Sequence, residues 1–333
     1  MKRVVYIANS DSKKIEVWSL YDNGDMNLIQ KVETYSEVQP INIIQNKKLL
    51  YAGLSNNEII TYKIDLNGLL TQASKIAFPA KANFFSFDQN KKFLFCSSYH
   101  SNSLIVSPLD IDGIPQNPIQ IICDIKGCHA AKINYKYNIL CITALKEDCI
   151  YLYYLTDCGI LKDTEQKIFY TLKQSGPRHI TFHPNQNIIY IINELSGTID
   201  VWKIYYKNNS IQVKNIQNVH ITNKTVLQNY WSADIHITSC GRFLYATDRL
   251  LNIISLFYIN PNNNKIIFFK SYKTVDQPRS FCIDSKDQYL IVAGEKSNTF
   301  IIYNIIQKTG ELKKVNIYHT GNRPIWILIH QLD

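Results

Sequence analysis

A repeat constrains the fold of this 333-residue chain more than any other feature. A short apolar run that ends at a polar break occurs at residues 4–8, 49–53, 93–97, 139–143, 188–192, 243–246 and 289–293. The spacing is roughly 45 residues, a period typical of β-propeller blades. A second apolar run follows each first one, at 15–20, 59–64, 104–109, 150–155, 199–204, 253–259 and 300–305. Turns such as Tyr21-Asp22-Asn23-Gly24 and Asp65-Leu66-Asn67-Gly68 often come next. Their Asn, Asp and Gly residues tolerate the left-handed backbone of tight turns. A weaker strand then leads to a Pro- or small-residue start of another run, as in Gly176-Pro177-Arg178 and Gln277-Pro278-Arg279.

Each unit therefore predicts four short strands, and no stretch scans as an amphipathic helix of useful length. Many runs are apolar at every position, as in Ile188-Ile189-Tyr190-Ile191-Ile192. Alternation marks a sheet with one wet face, whereas continuity marks burial on both faces. Blades stacked face to face need the second pattern. The sequence thus predicts an all-β chain, a seven-bladed β-propeller that spans residues 1–333 as a single domain. Two stacked sandwich domains match the strand count but not seven equal periods. The chain opens on the second strand of a unit and closes on a first strand, residues 324–331. The C-terminal strand is expected to join the N-terminal blade as its innermost strand and close the ring. The unit that begins at Gly176 is longer than the rest, and its extra residues, 218–232, are expected to form a long loop.

Composition removes several function classes. Lysine and arginine outnumber the acidic residues by 36 to 27, a net charge of +9. The basic residues are scattered through predicted turns rather than set in a stripe with aromatics between, so nucleic acid is not an expected partner. The eight cysteines contain no C-x-x-C pair and several lie in apolar runs. They read as reduced thiols of a cytoplasmic protein, not as a disulfide framework or a zinc site. The chain reads as strand from residue 4, with no signal peptide expected. No run nears the ~20 apolar residues of a membrane helix, so no membrane partner is expected.

In an antiparallel pair the start of the first strand and the end of the second emerge on one face. First-strand starts supply His129, Arg178, His179, Asp234, His236, Arg279, Arg323 and Trp326. Second-strand ends supply Tyr99, His100, Lys146, Glu194, Asp248, Arg249, Glu295 and Lys296. Charged residues cap strand ends in any propeller, but here they are biased to one face and toward the axis. One mouth of the central channel is expected to hold a small anionic ligand. No G-x-S-x-G elbow, H-E-x-x-H, Walker or dinucleotide-binding loop is present. Asp234 and His236 share a strand face and read as a hydrogen-bonded pair rather than a metal site. His183, before a turn proline, reads as structural.

The segments Gly127-Cys128-His129, Gly176-Pro177-Arg178-His179, Asn193-Glu194-Leu195, Asp234-Ile235-His236, Asp248-Arg249, Gln277-Pro278-Arg279 and Lys296-Ser297 run the length of the chain. In that order the chain resembles the propeller-type 6-phosphogluconolactonases of the cycloisomerase 2 family. The resemblance implies hydrolysis of a small phosphorylated sugar lactone with no metal and no cofactor, and a monomer is expected. The superfamily's lactonising members use a His, two Arg and a Glu, which here fall on His129, Arg178, Arg249 and Glu194. These four are the expected catalytic residues, with Glu194 the first choice of base and His129 the second. His179, Arg279, Lys296, Lys146, Asp234 and His236 are expected to hold the substrate. The chain departs from the family at Ala130 and Lys132, where a Ser and an Asn usually follow the His. Two alternatives stay open: a lactonising enzyme acting on a carboxylated muconate, and a non-catalytic propeller that binds a protein across its mouth.

Overall fold

The computed structural model describes residues 3–208, 210–223 and 229–332. They form seven sheets of four antiparallel strands. Among the described residues the only helical pieces are two 3₁₀ turns, Gln45–Lys47 and Leu145–Glu147. In six blades the strands run in chain order from the axis outwards. The innermost strands are Val38–Ile44, Phe84–Phe87, Cys128–Asn134, Pro177–Phe182, Ser232–Ile237 and Pro278–Ile283. The seventh blade is assembled from both ends of the chain. Pro324–Gln331 pairs with Arg3–Asn9, and Lys14–Leu20 and Met26–Glu33 complete the sheet. The expected ring closure is therefore present.

The continuous apolar runs are explained by what each face meets. Val4, Tyr6 and Ala8 pack against Leu50, Ala52 and Tyr62 of the next blade. Val5 and Ile7, pointing the other way, pack against Ile291, Ala293 and Phe300 of the preceding one. Alternate residues of one strand thus serve two interfaces, so every residue of Arg3–Asn9 is buried. The outermost strands have only one neighbour and revert to alternation, as in Leu312–His319.

Polar bonds add register to this packing. Tyr6, Tyr51, Tyr190 and Tyr245 hold the same place on the second strands. Each hydroxyl donates to a turn carbonyl of the adjacent blade: Gly68 at 2.8 Å, Gly113 at 2.7 Å, Asn264 at 3.3 Å and Gly310. Burial pushes all four phenol pKa values up, so they donate as neutral hydroxyls. Gly68 has φ +85°, and a Cβ there would meet Val4 at 2.4 Å. The turn needs glycine both for its backbone and for the close approach of the neighbouring blade.

The long unit corrects one expectation. Part of the extra sequence lengthens the outer hairpin of Thr198–Lys207 and Ser210–His220, so residues 218–220 are strand rather than loop. Asn218 is held there because its amide donates to Asp200 at 2.6 Å. Residues 224–228 of the expected loop lie outside the described residues. All eight cysteines are free thiols, five buried and Cys123, Cys158 and Cys240 exposed. Among the described residues no helix is long and apolar enough to cross a membrane.

Replacing Tyr51 or Tyr245 by Phe is expected to cost about 1–2 kcal/mol each, by orphaning a buried carbonyl. Urea unfolding measures this, and a loss indistinguishable from zero would remove the interblade role of the hydroxyls. Phe95, at the same place in another blade, is a natural instance of the hydroxyl-free position.

Candidate active site

Side chains reach the mouth because most inner strands carry a bulge at their start. The pairing register slips between Cys128 and Ala131, between Pro177 and His179, and between Pro278 and Ser280. Each slip leaves a residue outside the ladder and re-aims it. His129, Arg178 and Arg279 occupy these slips. Glu194, Arg249 and Glu295 arrive from the ends of the second strands, as antiparallel pairing requires.

Two arginine–glutamate–arginine clamps result. Glu194 Oε2 lies 2.9 Å from Arg178 Nε and accepts a bond from Arg249 Nη2, also at 2.9 Å. The Arg178 N–H points off the line to that oxygen, so this side is an ion pair rather than a hydrogen bond. The second nitrogen arm of Arg178 donates to the Ala233 carbonyl. Arg249 donates through Nε to the Trp231 carbonyl, and its guanidinium lies 3.8 Å from the Trp231 ring centroid. In the second clamp, Glu295 takes Arg279 at 3.3 Å and Arg323 at 3.1 Å.

Both arginines of the first clamp are almost fully buried. Burial, with the Arg279 charge adding to it, brings Arg178 down to about 10, and burial with the Arg178 and Arg279 charges brings Arg249 to about 9, both against the pull of Glu194. Both remain cations at neutral pH. Burial drives His129 well below the ordinary imidazole range, and Arg178, His179, Arg279 and Arg249 push the same way. His129 is therefore neutral, and its Nδ1 is buried with no protein partner among the described residues. For Glu295, burial raises the carboxyl but Arg279 and Arg323 outweigh it, so its pKa falls. A dense group of cations around a neutral imidazole suits a phosphorylated, electrophilic substrate.

The sequence-predicted residues divide between two levels. Glu194, His129, Arg178, Arg249 and Arg279 converge on the mouth. Lys146 stands at its rim, over the Tyr99 ring at 4.7 Å, and Tyr99 in turn meets the His129 ring edge-on. Lys296 is exposed on the turn that follows Glu295. His179, Asp234 and His236 are not at the mouth. They sit below it, in the wall of the channel, because they follow the slipped residues and lie deeper along their strands. His179 Nδ1 bonds Asp234 at 2.8 Å, and His236 Nε2 bonds the other oxygen at 3.2 Å. Burial alone would raise Asp234, but both histidines outweigh it and hold its pKa well below the carboxylate range. His183 is structural: its Nδ1 accepts the amides of Asn185 and Gln186.

Sequence reasoning gave no role to Glu295, Arg323 or Trp231. The first two carried the same strand-end signal as Glu194 and Arg178. Trp231 carried only its place in an overlong unit, and it meets Arg249 because the two flank the paired ends Ser232 and Asp248 of one blade.

A closed ring of seven four-stranded blades with ionisable residues gathered at one axial mouth is a seven-bladed β-propeller with a polar axial site. Residues 4–329 match the family described as lactonase, 7-bladed beta-propeller, and the chain belongs to that family. It is 68% identical, over the full length of both chains, to a 6-phosphogluconolactonase of Buchnera aphidicola subsp. Acyrthosiphon pisum. It is 37% identical, again over both full lengths, to a 6-phosphogluconolactonase of Pectobacterium atrosepticum. Among solved structures, the periplasmic gluconolactonase of Pseudomonas aeruginosa matches its fold with a TM-score of 0.89 and 18% identity over all of both chains.

The neutral histidines set a pH dependence of stability. Burial and the Arg178 charge lower His179 to about 4, despite Asp234. In the unfolded chain it takes a proton near its ordinary value of about 6.5. The unfolded state therefore binds more protons below that value, and stability is full above about pH 6.5 and falls as pH drops toward 4. The His179 contribution is on the order of 3 kcal/mol. Urea midpoints measured from pH 7 to 4.5 are expected to fall. The slope between pH 6.5 and 5 is expected to be shallower in His129→Gln and His179→Gln, and an unchanged slope in both would contradict this account.

Proposed function

We propose that this chain hydrolyses 6-phospho-D-glucono-1,5-lactone to 6-phosphogluconate, the second step of the oxidative pentose phosphate pathway, and that the clamped arginine mouth does the chemistry. Full-length identity of 68% to a 6-phosphogluconolactonase supports the substrate. The observation that carries the site is the Arg178–Glu194–Arg249 clamp beside His129.

A δ-lactone is an activated ester, so its opening needs a positioned water, a base and a home for the oxyanion. Held in place by Glu194, the two guanidiniums are already aimed when the carbonyl oxygen gains charge. No reorganisation is then needed at the moment of reaction. Arg279, with Lys146 at the rim, takes the phosphate.

For the base we favour His129 over Glu194. One Glu194 oxygen already serves two guanidiniums, whereas neutral His129 keeps a lone pair. Its proton affinity is low first because it is buried and then because cations surround it. A bound phosphate dianion offsets those cations and raises the proton affinity of His129 when substrate is present. Glu194 is then a positioning residue for both arginines.

His129→Gln is expected to lower kcat by about 10²–10⁴ with little change in KM. Glu194→Gln is expected to raise KM as well, because both guanidiniums lose their anchor. The assay follows acid release above spontaneous ring opening, and near-wild-type kcat in His129→Gln would return the base role to Glu194. We further infer a cytoplasmic location, a reading supported by eight free thiols, and expect a monomer. Sedimentation at the mass of one chain is the expected result, and a dimer mass would overturn it.

A further inference from the structure

Below the mouth the channel continues to the opposite face. Phe84, His179 and Trp326 form a mutually packed trio in its wall, with centroids 5.4 to 5.9 Å apart. The channel opens into a cavity of about 560 Å³. The charged residues that line it are Lys91, Lys132, Lys136 and Asp234. Three ammonium groups thus face one carboxylate.

That carboxylate is already committed. Asp234 accepts from His179, His236 and the amides of Ile235 and Phe281. Lys132 has no ion pair with it, although the Asp234 charge reaches it and opposes the lowering of its pKa by burial. Among the described residues the Lys132 ammonium has one hydrogen bond, at 3.4 Å to the Ile180 carbonyl. An ammonium has three donors, and a recessed charge left so poorly matched is costly. Lys91 Nζ bonds a carbonyl and a phenol, and Lys136 Nζ an asparagine oxygen; among the described residues neither meets a carboxylate. His179 Nε2 is buried in the same wall without a partner among the described residues.

We propose that the lower half of the channel is a second anion site, distinct from the catalytic mouth, with Lys132 as its central ligand and a phosphoryl group as its occupant. Among the described residues no guanidinium lines this cavity, so an anion there is held by ammonium groups, and a phosphoryl dianion matches three of them better than the single charge of a carboxylate. Lysine serves phosphate as a point charge, and the surrounding low-dielectric wall strengthens that attraction. Thr181 and His236, on the two inner strands that follow Lys132, place further polar groups on the same wall. Free inorganic phosphate and the phosphoryl group of a small sugar phosphate share this chemistry.

Site-resolved acetylation of lysines by acetic anhydride tests the proposal on the intact wild-type chain. Exposed Lys313 serves as the internal reference. Inorganic phosphate or 6-phosphogluconate, added separately, is expected to slow acetylation of Lys132 about tenfold at roughly ten times its dissociation constant, with Lys313 unchanged. Protection by inorganic phosphate identifies the free ion as sufficient, whereas protection by 6-phosphogluconate alone identifies the sugar phosphate as the occupant. Lys132→Met is expected to bind one phosphate fewer by calorimetry while keeping lactonase activity. No protection by either anion at millimolar concentration, or an unchanged stoichiometry in Lys132→Met, overturns the second site. Loss of activity in mouth variants bears only on the mouth and leaves protection of Lys132 intact.

Discussion

The structure depends on one pairing, the antiparallel contact of Pro324–Gln331 with Arg3–Asn9. Without it the first and last blades would each present an unpaired face, and every interblade cluster would be an open stack rather than a ring. The pairing joins residues more than three hundred positions apart, so it carries a large loop-closure entropy that the packed ring must offset. Polar contacts reinforce it. Buried Arg3 reaches Asp22 at 2.7 Å and Asp284 at 3.2 Å, and so ties the closing blade to its neighbour. Asn9 and Glu16 both accept from Thr320 just before the closing strand.

A closed ring makes an axial channel, and the site uses both properties of that geometry. Seven inner strands start on one face, so residues distant in sequence converge there without any loop to carry them. The bulges at those starts turn His129, Arg178 and Arg279 out of the ladder and toward the mouth. The cost is a group of buried cations. It is met by alternating them with Glu194 and Glu295, each shared between two arginines from different blades. Glutamate therefore holds blades together and aims guanidiniums in the same contact. Deeper in the channel, Asp234 does the equivalent for two imidazoles and, among the described residues, forms no ion pair with Lys132.

Much of this was legible in the chain. Seven periods gave the blades, and the phase of the ends gave the closure. The strand-end positions gave the mouth, including Arg178 and Glu194, which antiparallel pairing had to bring together. Depth was not legible. His179 follows Arg178 directly, and only the register slip decides that one faces the mouth and the other the channel. The extra residues of the long unit, 218–232, read as loop because they exceed the length of the other units. In the fold Asn215 and Asn218 bond Asp200 and belong to a strand.

By itself, then, the sequence determined the architecture and the inventory of the mouth, because strand periodicity and antiparallel return are local rules that repeat seven times. The tertiary structure alone decided the partnerships. Arg249 meets Glu194 and Trp231, Arg323 meets Glu295, and Lys132 faces a carboxylate already taken by two histidines. Each of these partnerships brings together residues from different strands, several of them across blades. Such distances depend on how blades stack, which no local pattern encodes.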